Sequence, residues 1–169
     1  MNMKRILALV MGLILTACQE NMAPETEFTG NEVVYNLQPG SLYNIFGTIT
    51  FKEKKDGTAF IVVDLKGTEG ALQHPVHLHL GDISAPDADV AAFLNPIDGQ
   101  TGKSETNLIR LADEQPITFN ELIDLNACIK IHLAETGPDR DIILAAGNIG
   151  SALQFTSGGR YDISVCKSE

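Results

Sequence analysis

The stretch 45–65 restricts this chain to a β fold more tightly than any other segment. Ile45, Gly47, Ile49 and Phe51 alternate with Phe46, Thr48, Thr50 and Lys52, the period-two pattern of a strand with one face turned to a core. Lys55-Asp56-Gly57 follows, and Asp-Gly tolerates the positive backbone angles a tight hairpin requires. Ala59-Phe60-Ile61-Val62-Val63-Asp64-Leu65 then returns, rich in the β-branched side chains that suit a pleated surface.

The same pattern recurs along the chain. Short strands are predicted over 32–37, closed by Pro39-Gly40, and over 74–80, 107–112, 128–133, 141–146 and 161–166. Thr118-Phe119-Asn120-Glu121 is a capping-box signature for a helix of one or two turns, with Leu122 and Ile123 on its buried side. The stretch 82–105 holds Asp82, Asp87 and Asp89, two prolines and two glycines, and reads as a long loop. Seven or eight short strands with Gly and Pro turns predict an all-β fold, an antiparallel β-sandwich with one short helix. The length 31–169 suits a single domain with one core.

The first residues predict export. Lys4 and Arg5 precede an apolar run over 6–15, about half the roughly 20 residues that span a bilayer. Leu15-Thr16-Ala17-Cys18 follows, with small residues just before a cysteine. This is the layout of a signal peptide, residues 1–17, and not of a transmembrane helix. It also resembles the bacterial lipobox, which makes Cys18 the acylated first residue of the mature chain, palmitate being one such acyl group. Several acyl chains on one residue anchor stably where one alone is marginal. The polar stretch 18–30 is then a flexible tether. Gln19 is not the Asp that favours inner-membrane retention, so the outer membrane is the expected location.

Removing the signal leaves 10 basic against 22 acidic residues, a net charge of −12 against −10 for the whole chain. Such a surface repels phosphate backbones and excludes nucleic acid as a partner. The expected partner is the membrane, through the lipid on Cys18; no protein partner can be read. Two further cysteines, Cys128 and Cys166, each sit in a β-type run. In an oxidising compartment a Cys128–Cys166 disulfide is expected, the rival reading being two buried thiols.

Three of the four histidines fall in His74-Pro75-Val76-His77-Leu78-His79, and the fourth is His132. Residues two apart on a strand share a face, so His77 and His79 point together, away from a core built by Val76 and Leu78. By the same alternation Ile129, Ile131 and Leu133 face inward, while Cys128, Lys130 and His132 face outward. If the two strands are neighbours, three imidazoles converge on one ion. Nitrogen donors suit Cu or Zn rather than Mg or Ca, and three of them leave a fourth position open. The competing reading is three polar residues making local hydrogen bonds. His74, ahead of Pro75, is an accessory ligand or a lone polar residue. Asp82, Asp87, Asp89 and Glu135 are candidate acceptors for the ring N–H groups, or solvated acids. Ser151 lacks a nucleophile-elbow context, and Asp56-Gly57 and Asp98-Gly99 are turns, not calcium loops.

At Gly47-Thr48-Ile49-Thr50-Phe51, His74-Pro75-Val76-His77-Leu78-His79-Leu80-Gly81 and the stretch 94–106 the chain resembles a bacterial chordin-type (CHRD) domain. Cys128-Ile129-Lys130-Ile131-His132-Leu133 and Gly147-Asn148-Ile149-Gly150 continue the likeness, which spans 31–150. That family brings a fold but no established activity. A more distant likeness is to Cu/Zn superoxide dismutase, which implies a Greek-key, immunoglobulin-like β-sandwich with His77, His79 and His132 at copper-ligand positions. Two departures argue against efficient dismutation: Ala152 stands at the anion-guiding arginine, and Phe93 at the histidine that bridges the two metals. The favoured expectation is a lipid-anchored, non-catalytic envelope domain binding one Cu or Zn ion. The alternatives are a copper-only dismutase, with Lys130 or Arg140 attracting the anion, and an adhesive scaffold without metal.

Overall fold

The computed structural model describes residues 26–85, 88–156 and 163–164. Eight strands, β1 (Phe28–Pro39), β2 (Phe46–Lys54), β3 (Ala59–Lys66), β4 (Gln73–Leu80), β5 (Val90–Asp98), β6 (Lys103–Leu108), β7 (Ala127–His132) and β8 (Ile143–Ile149), form one antiparallel sheet. It closes into a barrel in the order β1-β2-β3-β6-β5-β4-β7-β8. The expectation of a mostly β, antiparallel chain with one short helix holds. The sheet closes on itself, however, across two thin junctions: β1 meets β8 only at Gln38–Ala146 and Pro39–Ala145, and β5 meets β6 at Asp98–Lys103.

The 45–65 pattern places its residues as the alternation requires. Ile49 and Phe51 on β2, and Ile61, Val63 and Leu65 on β3, are buried in the barrel's core. Gly57 supplies the positive φ of 83° in the turn between them. Gly47 is needed for a different reason: a Cβ there would lie 2.0 Å from the carbonyl oxygen of Asp64 on β3. The helix α1 (Phe119–Asp124) carries the expected capping box, Thr118 with Glu121, and buries Phe119 and Leu122. Leu122, but not Ile123, is fully buried.

The stretch 82–105 is not a long loop. It contains all of β5 and the start of β6. The polar inward residues of β6, Ser104 and Thr106, hide the alternation that an apolar reading looks for. On β5, Pro96 lies in a register shift against β4, between the pairs His74–Ile97 and Val76–Leu94. Proline cannot donate to a ladder, and such irregularities accommodate it. Asn95 then bridges the splayed strands, its N–H donating to Thr106 Oγ1 at 2.9 Å and its side-chain amide to the Glu105 carbonyl at 2.7 Å. The strand expected over 107–112 ends at Leu108; beyond it Arg110 forms an isolated bridge with Pro116, and Ala112 donates its N–H to the Ala91 carbonyl of β5 at 2.7 Å.

β7 and β8 are buried on both faces. Inside, Ile129 and Ile131 join the main core. Outside, Cys128 packs with Ile83, Ile143 and Ala146 in a second cluster, with Ile163 against it. The outward-facing residues Cys128, Lys130 and His132 are therefore covered rather than solvated. Ile83 is held there by Asn148, whose Oδ1 accepts its N–H at 2.8 Å. Ser164 donates its N–H to Ile83 O at 3.0 Å and accepts at its carbonyl from Lys130 Nζ at 2.6 Å. Cys18, Asp87, Cys166 and most of 161–166 lie outside the described residues.

Candidate metal centre

β4 and β7 are hydrogen-bonded neighbours, and His77 pairs directly with Lys130, and His79 with Cys128. Directly opposed residues in an antiparallel pair share a face. That puts both histidines on the side of β7 that carries Lys130 and, two residues on, His132. The ring of His77 lies 4.7 Å from that of His132 and 5.7 Å from that of His79, centroid to centroid. The ligand atoms of all three fall within 4.8 Å of one another, and this is the one such group among the described residues. Phe93 of β5, paired with His77, sets its ring edge-on to it at 5.1 Å.

The ring orientations follow from backbone carbonyls. His79 Nδ1 lies 2.9 Å from the Ala88 oxygen, and His132 Nδ1 lies 2.8 Å from the Arg140 oxygen. A carbonyl only accepts, so each Nδ1 carries the proton and donates, and each Nε2 keeps its lone pair in the neutral ring. This is the arrangement that orients and enriches imidazole ligands of metals. The acceptors are main-chain atoms of the β4–β5 and β7–β8 connections. Of the carboxylates nominated for this role, Asp82 accepts the N–H of Ser84 at 2.7 Å, and Glu135 lines a separate cleft.

His132 is 4% exposed, and its Nε2 is buried with no hydrogen-bond partner. An unsatisfied buried polar atom costs about 1–3 kcal/mol, a cost that a cation at this nitrogen would remove. Burial, more than any neighbouring charge, pushes His77, His79 and His132 away from protonation. His77 is held down at about 4, further lowered by His132, His79 and Arg140. His79 is also pushed down to about 4 by burial, against the opposing pull of the Ala88 carbonyl. Burial lowers His132 as well, opposed by the Arg140 carbonyl and aided by Lys130 and Arg140. All three rings are thus neutral donors near pH 7, the form metals bind.

The donor set fits a borderline ion such as Cu or Zn, with three nitrogens and no carboxylate. His74 is not in the group. It is buried, donates Nδ1–H to the Leu133 carbonyl at 3.0 Å, and lines the separate cleft. The orienting carbonyls of Ala88 and Arg140 left no trace in the sequence, because every residue has a carbonyl. No protein-family model matches the chain, and no curated protein matches it either.

Proposed function

We propose that this chain is a lipid-anchored envelope domain of the chordin type, which binds one copper or zinc ion through His77, His79 and His132 without catalysing a reaction. One observation carries the metal reading: the buried, unpartnered Nε2 of His132 in a group whose ligand atoms lie within 4.8 Å. The ion would be held by the three imidazoles and would supply Lewis acidity or, as copper, one-electron chemistry. The anchoring rests on Leu15-Thr16-Ala17-Cys18 alone.

On this reading the barrel is a flattened Greek-key sandwich. In support, β7 lies on the far side of β4 from the β4-β5-β6 run, the return that defines the motif. The two thin junctions divide the sheet into β1-β2-β3-β6 and β5-β4-β7-β8. The non-catalytic assignment follows from the likeness to Cu/Zn superoxide dismutase and its departures at Phe93 and Ala152.

Metal content after exposure to Cu(II) or Zn(II) and exhaustive dialysis tests the reading. One equivalent per chain is expected for the wild type, and none for His79→Ala combined with His132→Ala. Absence of uptake by the wild type, or equal uptake by the double variant, leaves a scaffold without metal. A copper-only dismutase is the second reading, favoured by the Lys130 and Arg140 charges that act on the rings. It requires superoxide consumption by the copper-loaded protein above that of free copper in the same buffer.

A further inference from the structure

A cleft of about 710 Å³ opens where the β1–β2, β3–β4 and β7–β8 connections meet at one end of the barrel, a volume typical of small-molecule sites. Its base is apolar: Ile45 and Leu144 are buried core residues, and Leu133 stands beside them. At its lip Tyr43 and Leu72 are 55% and 62% exposed.

The charge on its walls has one sign. Among the described residues Glu69, Glu135 and Asp139 line it, all three exposed, and no Lys or Arg does. None of the three carboxylates takes part in an ion pair among the described residues.

We infer that this cleft binds a small organic cation with an apolar body, of the class of hydrophobic primary amines. The apolar body meets Ile45, Leu133 and Leu144, and the ammonium meets the carboxylates. An anion of the same shape would face three like charges, and a neutral molecule would gain nothing from the three carboxylates, which are exposed. A bare metal ion fits poorly, because among the described residues no carboxylates there converge as the three histidines do. The site is separate from the histidine group and stands or falls independently of it.

The test is an NMR titration of the full chain in non-ionic detergent, following the methyl resonances of Leu72 and Leu133. 2-Phenylethylamine should shift them saturably, with a Kd at or below about 1 mM, while 3-phenylpropionate should not. Combined Glu69→Gln, Glu135→Gln and Asp139→Asn should weaken the amine about tenfold or more, with the Ile61 and Val63 core resonances unmoved. Leu72→Lys, which adds a competing cation at the lip, should weaken it likewise. Absence of saturable shifts with the amine, an equal response to the propionate, or undiminished binding in both variants overturns the inference.

Discussion

The imidazole of His132, on β7, stands 4.7 Å from that of His77, on β4. The two residues are 55 positions apart in the chain and meet because β7 pairs with β4 rather than with its predecessor β6. Strand order and alternation together bring the three rings to one place.

A cation beside the rings should weaken the hold on a divalent ion. Lys130 is fully buried on the face that carries His77 and His132, and its charge acts on His79 and His132. Replacing it by an apolar residue of similar length, Lys130→Met, should raise Zn(II) affinity about threefold to tenfold. Competition against a chromophoric chelator measures this. Unchanged or weaker binding would contradict the electrostatic account.

The metal-free protein should lose stability in mild acid. His77 and His79 have folded-state values near 4, below the ordinary 6.5. The unfolded chain therefore binds more protons as pH falls through 6.5, and stability declines between about 6.5 and 4. The carboxylates held low by hydrogen bonds, Asp82 and Glu121 among them, add their losses only below their ordinary values of 3.8 and 4.5. Urea midpoints from pH 7.5 to 5 should fall, and His77→Gln with His79→Gln should flatten the slope (range set by the reference values). An equal slope in that variant would assign the decline to other groups.

Much of the fold was legible because the inward residues of β2, β3, β4 and β7 are Ile, Val, Leu and Phe, whose alternation is plain. β5 and β6 were read as loop for a physical reason. β5 has alanines at 91 and 92 and proline at 96, and β6 points Ser104 and Thr106 inward, so neither shows an apolar period. The histidine group was legible because parity on a strand is a strict rule once β4 and β7 are neighbours. What covers the outer face was not, because Ile83 reaches it from a connection that carries no periodic signal, and Ile163 from the stretch beyond β8.

Asn148 links that cover to the histidines. Its Oδ1 holds Ile83 at 2.8 Å, and its side-chain amide donates to the Ala152 carbonyl at 3.3 Å. The connection it fastens continues to Ala88, whose carbonyl orients His79. Asn148→Ala should destabilise the fold by about 1–3 kcal/mol, since Ile83 N–H loses its acceptor in a buried site. It should also lower zinc affinity. Urea denaturation and zinc titration on the same variant check both effects, and neither should match wild type.

At Gly47 the constraint is steric. With a Cβ 2.0 Å from the Asp64 carbonyl oxygen, Gly47→Ala must push β2 from β3 and should cost about 1–3 kcal/mol. Denaturant midpoints of this variant and of the exposed Thr26→Ala, a neutral reference, make the comparison. Equal midpoints would show that the sheet relaxes at no cost.

X-ray absorption at the metal edge of the protein loaded with one equivalent of Cu or Zn reaches the central claim most directly. Three imidazole nitrogens in the first shell, with the multiple-scattering signature of the rings, are the predicted result, reduced to two in His132→Ala. A shell of oxygen donors alone, or a spectrum that His132→Ala leaves unchanged, would contradict the account.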